Sequence, residues 1–256
     1  MKLCLDVGNS QISVGIFDEN GLRSKFRKVI SGGASSDELG LFLKQLVREN
    51  GHDPSVITDI GFCSVVPDIN HSLANACRRY FEIEPFVLRA GIKTGLKIRY
   101  SNPTEVGADR IAGAMGAVGR YPKKDLIIID LCTATILEAV TADREYLGGA
   151  IGPGLSISMR ALEQNTAGLP KVEILRPEKT CGRSTVESIQ SGLYWGHLGM
   201  IREIRDRLTR ECFRDRRPLV IGTGRFAGLF GETDLFDAIH PDLALEGTAI
   251  AQELNR

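Results

Sequence analysis

A carboxylate set between an apolar run and a small polar turn occurs twice in this chain, at Asp6 in Asp6-Val7-Gly8-Asn9-Ser10 and at Asp130 in Asp130-Leu131-Cys132-Thr133-Ala134. Each set offers what a nucleoside triphosphate needs. Gly8 lets phosphate approach the backbone, backbone N–H groups and the Asn9 and Ser10 side chains can donate to phosphate oxygens, and Asp6 can hold hydrated Mg2+. Either turn alone reads as a hairpin with an aspartate at its mouth. As a pair they point to two halves built for one phosphate ligand.

Between the two turns runs Asn102-Pro103-Thr104-Glu105-Val106-Gly107-Ala108-Asp109-Arg110. Phosphoryl transfer to an alcohol needs a carboxylate near the hydroxyl and cations on the phosphates, and Asp109 and Arg110 supply both types. The plainer reading is a helix-start aspartate followed by a solvated arginine. Gly222-Thr223-Gly224 follows an apolar run and suits either the passage of backbone close to an adenosine or a tight strand-to-helix turn. His52, His71, His197 and His240 lack metal-site spacing, and Cys4, Cys63, Cys77, Cys132, Cys181 and Cys212 form no C-x-x-C pair. The cysteines are therefore expected to be reduced and mostly buried. Arg214, Arg216, Arg217, Lys123 and Lys124 read as solvated loop charges.

The elements that must carry these residues follow from apolar spacing. Strands are predicted over 2–7, 12–17 and 22–29, and a Gly/Ser loop over 31–36. A helix then carries Leu39, Phe42, Leu43, Leu46 and Val47 on one face, with Ser35 or Ser36 as its N-cap. A strand over 58–66, a helix over 68–81 and a short strand over 85–88 complete the half. The order then repeats, with strands over 126–130, 135–140 and 145–151, a helix starting near Pro153-Gly154, a longer one over 185–209, a strand over 218–221 and a terminal helix over 246–254. This repetition predicts an internal duplication: an α/β protein of two domains, residues 1–117 and 118–256, facing across a nucleotide cleft.

The totals exclude several alternatives. Lys plus Arg and Asp plus Glu both number 32, so no overall field recruits nucleic acid or an anionic membrane surface. Asp6 falls where a secretory signal would need its apolar core, and no apolar run reaches membrane-spanning length, so a cytoplasmic protein is expected.

Several segments together resemble type III pantothenate kinase, in that family's order and over nearly the whole chain. They are residues 6–10, 102–110 and 130–135, Tyr146-Leu147-Gly148-Gly149-Ala150-Ile151-Gly152-Pro153-Gly154, Leu169-Pro170, and Ser184-Thr185-Val186-Glu187-Ser188-Ile189-Gln190-Ser191-Gly192. The resemblance implies a duplicated actin-like ATPase (ribonuclease H-like) fold, a homodimer, and transfer of the ATP γ-phosphate to pantothenate at the start of coenzyme A synthesis. It implies that Asp6, Val7, Gly8, Asn9, Ser10, Gln11, Ile12 and Ser13 hold the ATP phosphates with Mg2+, and that Thr133 adds a contact. Tyr100, Gly107, Ala108, Asp109, Arg110 and Thr185 would line the pantothenate pocket, with Asp109 the base. Asp130 would bind a monovalent cation, K+ or NH4+. The family's second turn usually reads D-F-G-T-A-T-T-F-D, so Cys132 stands in place of glycine, and Arg225 likewise in T-G-G-L-A; a strained turn and weak ATP binding are expected at Cys132. Two rivals stand beside this reading. One is a kinase of the same architecture for another small hydroxylated acid or sugar; the other is a nucleotide-binding regulatory protein without turnover.

Overall fold

The computed structural model describes residues 1–30, 33–214 and 216–256; two residues of the expected 31–36 loop lie outside them. In chain order the elements are β1 (Lys2–Val7), β2 (Gln11–Asp18), β3 (Gly21–Val29), α1 (Ser36–Glu49), β4 (Asp59–Ser64), α2 (Pro67–Phe81), β5 (Phe86–Val87), β6 (Lys97–Ile98) and α3 (Ala108–Arg120). They continue as β7 (Leu126–Leu131), β8 (Ala134–Val140), β9 (Glu145–Pro153), α4 (Leu155–Asn165), α5 (Thr185–Phe213), β10 (Leu219–Thr223), β11 (Ala238–Ile239) and α6 (Leu243–Leu254). No helix among the described residues is long and apolar enough to cross a membrane.

The chain divides into two compact units, 1–96 with 101–120 and 243–256, and 97–100 with 121–242. Each is a sheet of the same plan. The first runs β3-β2-β1-β4-β5 and the second β11-β10-β7-β8-β9-β6. In the first, β1 pairs antiparallel with β2 and parallel with β4; in the second, β7 pairs antiparallel with β8 and parallel with β10. Strand for strand, β3-β2-β1-β4-β5 answers β9-β8-β7-β10-β11, which is the duplication that the element order predicts.

Period-two alternation decides where the first unit's side chains go. Leu3, Leu5 and Val7 of β1 bury against Leu39, Leu43 and Val47 of α1 and Ile69 and Leu73 of α2. Ser35 caps α1, its Oγ accepting from the Glu38 N–H at 3.1 Å. Cys4 points the other way, into a small cluster with Phe17 and Leu245 of α6. Asp6 shares that second face by the same alternation. The α6 helix, assigned to the second half by a linear division at 117/118, thus packs in the first unit.

The α3 helix is absent from the element order that the sequence predicts, in which Asp109 alone reads as a helix start. Its Gly113, Gly116 and Gly119 weaken the helical signal. Two glycines instead let α3 and α6 cross backbone to backbone. A β-carbon on Gly116 would run into the Leu243 carbonyl, and one on Gly247 into that of Ala112, 2.6 Å from its carbon. The second unit's core is formed by Ile127, Ile129 and Leu137 of the sheet with Leu193, Leu198 and Ile201 of α5. That helix starts earlier in its capping than in its apolar pattern: Ser184 Oγ accepts from the Glu187 N–H at 3.2 Å while Glu187 accepts from the Arg183 N–H at 2.7 Å.

Candidate active site

In the first unit the β1–β2 hairpin closes at Gly8, whose N–H donates to the Gln11 carbonyl at 3.0 Å and leaves Asn9 and Ser10 exposed at the tip. Asp6, two residues before the tip, sits opposite Ser13 on β2 and Cys63 on β4. The Cys63 thiol donates to Asp6 Oδ1 at 3.5 Å. Burial, and next the charge of Asp109, push the Asp6 carboxyl up to about 6. Asp109 opens α3 and accepts from the Arg110 N–H at 2.7 Å. Burial raises its carboxyl, against the opposing pull of Arg110. A β-carbon on Gly107 would lie 3.6 Å from Val65 Cγ1, which sets this segment beside the end of β4.

Two half-buried carboxylates, the charge of Asp109 raising Asp6, form a pair that favours a proton or a cation between them. The face of β1 that bears Asp6 and the start of α3 that bears Asp109 meet because α6 packs against both elements. Among the described residues no three His, Cys, Asp or Glu cluster to hold a metal alone. A divalent ion here would share its coordination with phosphate oxygens, as Mg2+ commonly does.

In the second unit Asp130 ends the apolar part of β7, and the turn Cys132-Thr133 leads into β8 with the Cys132 N–H donating to the Ala134 carbonyl at 3.1 Å. The turn after β10 lies against it. Gly224 has φ of 85°, and a β-carbon there would strike Asp130 Oδ1 and come within 2.8 Å of Cys132 Sγ. Glycine at 224 is thus required twice over, by its dihedral and by the close approach. Thr135 Oγ1 is paired with His197 Nε2 at 2.7 Å. Burial holds that imidazole neutral, pushed down to about 4.

The expected strain at Cys132 is corrected by the structure. Among the described residues, those other than glycine with positive φ are Glu82, Lys123, Arg144 and Arg214, so neither Cys132 nor Arg225 occupies left-handed backbone. Arg225 is exposed, donates to Ser156 Oγ and lies 4.4 Å from the Phe226 ring centroid. With no strain to relieve, Cys132→Gly should leave the Michaelis constant for ATP within about twofold, the scale of an unstrained surface change. A drop larger than threefold in steady-state kinetics would mean that the sulfur obstructs the phosphate.

The remaining sequence candidates are positioned within one unit or the other. Gly107, Ala108, Asp109 and Arg110 belong to the first; Tyr100, Thr133 and Thr185 belong to the second. Thr185 is the exposed first residue of α5, and Tyr100 is half-buried after β6. Cys63 had no signal of its own in the sequence; only the β1/β4 register reveals it.

A type III pantothenate kinase family model matches residues 2–207. A type III pantothenate kinase of Legionella pneumophila (strain Corby) is 50% identical over 255 residues, covering 100% of this chain and 99% of that protein. The chain belongs to the type III pantothenate kinase family. A second member, from Elusimicrobium minutum (strain Pei191), is 48% identical over 256 residues and 99% of its length. Two solved structures share the fold at low identity. One is a putative Baf family transcriptional activator from Campylobacter jejuni, with a TM-score of 0.60, 16% identity and coverage of 98% and 97% of the two chains. The other is a putative 2-dehydro-3-deoxygalactonokinase from Sinorhizobium meliloti, with a TM-score of 0.57, 11% identity and coverage of 99% and 98%. Family membership over the full length decides against both rival readings, since neither low-identity neighbour speaks to more than the fold.

Proposed function

We propose that this chain transfers the γ-phosphate of ATP to the primary hydroxyl of pantothenate, giving 4'-phosphopantothenate and ADP in the first step of coenzyme A biosynthesis. The full-length match at 50% identity carries this reading. The Asp6–Asp109 pair supplies the chemistry. Asp109, its basicity raised by burial, takes the hydroxyl proton as the oxygen bonds to the γ-phosphorus and the bond to the β,γ-bridging oxygen breaks. Arg110 offsets charge beside it. The hairpin from Asp6 to Ser13 is the first unit's candidate for the phosphates, through its backbone N–H groups and the exposed Asn9 and Ser10, and Thr133 is the second unit's candidate contact. The family resemblance makes Tyr100, Gly107, Ala108 and Thr185 the candidate acceptor contacts, Gly107 and Ala108 in the first unit and Tyr100 and Thr185 in the second. Mg2+ held between phosphate and Asp6 would neutralise charge that two neighbouring carboxylates otherwise repel.

Asp130 suits a large monovalent cation, because Gly224 leaves beside its carboxylate a cradle that any β-carbon would fill. K+ or NH4+ held by Asp130 would offset phosphate charge without demanding octahedral geometry. We read the enzyme as a cytoplasmic homodimer, with the exposed Val186 and Trp195 of α5 supplying apolar contact area.

A coupled ADP-release assay tests the function. ADP should appear only when pantothenate is present, and activity should fall sharply when K+ is exchanged for Na+ or Tris at fixed Mg2+. ADP release indifferent to pantothenate would overturn the acceptor, and full activity in Tris would overturn the role of Asp130.

A further inference from the structure

Four residues, 97–100, leave the first unit, join the second, and are followed at once by a return to the first. As β6 they add an edge strand to β9, with the Lys97 N–H donating to the Arg144 carbonyl and the Arg99 N–H to that of Tyr146, each at 2.8 Å. Arg99 also pairs with Glu145. This pairing sets down one aromatic residue, Tyr100, on the surface of β9. Its ring faces Gly148, where a β-carbon would stand 3.0 Å from Cε2 and 3.3 Å from Cδ2. Its other neighbour is Tyr146, ring centroid 6.4 Å away and tilted by 50°.

Three local exceptions converge beneath that ring. The β8–β9 ladder shifts register between Ala139 and Val140, which face Gly148 and Tyr146, leaving Leu147 as an extra residue. Bulges of this kind re-aim side chains and gather near active sites. Gly148 has φ of 107°, which other residues rarely adopt. Tyr146 is fully buried and its hydroxyl donates to Glu138, a carboxylate only 3% exposed. Burying a carboxylate under a sheet and bending the strand above it are costly features. Both occur at the residues on which Tyr100 rests.

We propose that β6, Gly148, Tyr146 and Glu138 form a platform that fixes the Tyr100 ring as a wall of the pantothenate pocket, with Gly148 and Tyr146 acting as positioning residues for the acceptor. The inference rests on the placement of Tyr100 in that pocket. An added methyl at Gly148 lifts the ring, and loss of the Tyr146 hydroxyl loosens the layer below it. Both disturb the acceptor and spare the nucleotide, whose contacts lie on the two phosphate turns.

The test is steady-state kinetics of Gly148→Ala, Tyr146→Phe, Tyr100→Ala and the double variants with Tyr100→Ala, alongside thermal melts. Gly148→Ala should raise the Michaelis constant for pantothenate roughly fivefold to thirtyfold. Tyr146→Phe should raise it about twofold to tenfold. The constant for ATP should stay within about twofold in both, the mark of lost acceptor binding alone. Both effects should vanish in the Tyr100→Ala background, because the platform acts through that ring. If Gly148→Ala does not fold, Tyr146→Phe, which deletes one atom and keeps the backbone, decides alone. An unchanged pantothenate constant in the folded variants, an equal rise for both substrates, or effects that persist without Tyr100 would each overturn the platform. A pantothenate constant untouched by Tyr100→Ala would overturn the placement of Tyr100 along with it, while pantothenate-dependent ADP release would still stand.

Discussion

Asp109→Asn is expected to lower kcat by about a hundredfold or more while nucleotide binding survives, the usual size of a lost general base. The substitution is nearly isosteric, and the asparagine Oδ1 can still accept from the Arg110 N–H that holds the aspartate at 2.7 Å. The start of α3 therefore stays in place and only the basicity goes. Burial raises the Asp109 carboxyl, so the folded value lies above the unfolded one. Such a group contributes stability only at low pH, and that contribution is lost as pH rises through its folded value. At neutral pH the ionised carboxylate therefore burdens the fold. The asparagine variant should be slower and yet melt no lower than the parent near pH 7. Calorimetric titration with nucleotide, turnover assays and melts check the three parts. Near-normal turnover would remove Asp109 as the base.

Gly247→Ala is expected to lower the melting temperature by roughly 4–8 °C. The added carbon meets the Ala112 backbone, 2.6 Å from its carbonyl carbon and 3.0 Å from its Cα. A side chain could rotate away; this obstacle is the opposing helix itself. Overpacking costs about 1–3 kcal/mol and sometimes more, and the upper end is appropriate to a backbone clash. Alanine's better helix propensity returns only about 1 kcal/mol. At about 2–4 °C per kcal/mol for a protein of this size, a clash of about 3 kcal/mol less that return gives the stated fall. Since α3 also carries Asp109, activity should be lost over the same temperature range. A melt within about 1 °C of the parent would show that α3 and α6 separate at little cost.

What the sequence made legible was whatever has a short period. The alternation of Leu3, Leu5 and Val7 and the 3.6-residue face of α1 are local signals, and the strands and helices they predict are present within a residue or two. The α2 helix begins at Pro67 and α5 runs on to Phe213, past the predicted 209, because cap chemistry and length are weaker signals than periodicity. The two aspartate turns were visible because their residue types are needed in sequence. By contrast α3 was hidden by glycines whose reason lies on another helix more than a hundred residues away. The short β6 and β11 had too few residues to show a period at all. At the site, Cys63 beside Asp6 and Gly148 beneath Tyr100 depend on strand register, which no local pattern encodes. The strain expected at Cys132 is absent for a related reason, since the left-handed backbone at this corner falls on Gly224, on a different strand's turn.

The return of the chain to its first sheet also sets a timetable for synthesis. Residues 1–96 contain the core that α1 and α2 close over β1, so this half can collapse while translation continues. The other face of β1, bearing Cys4 and Asp6, lacks its α6 cover until that helix leaves the ribosome, on the order of ten seconds after β6 at ordinary elongation rates. The second sheet, nearly continuous in sequence from 121 to 242, is complete before then. The nascent chain therefore finishes its later half first, and the carboxylate that opens the protein is among the last groups to find its surroundings. Translation arrested short of residue 243 would release a well-formed second sheet attached to a first sheet that lacks α6 on one face, a ready substrate for chaperones and proteases.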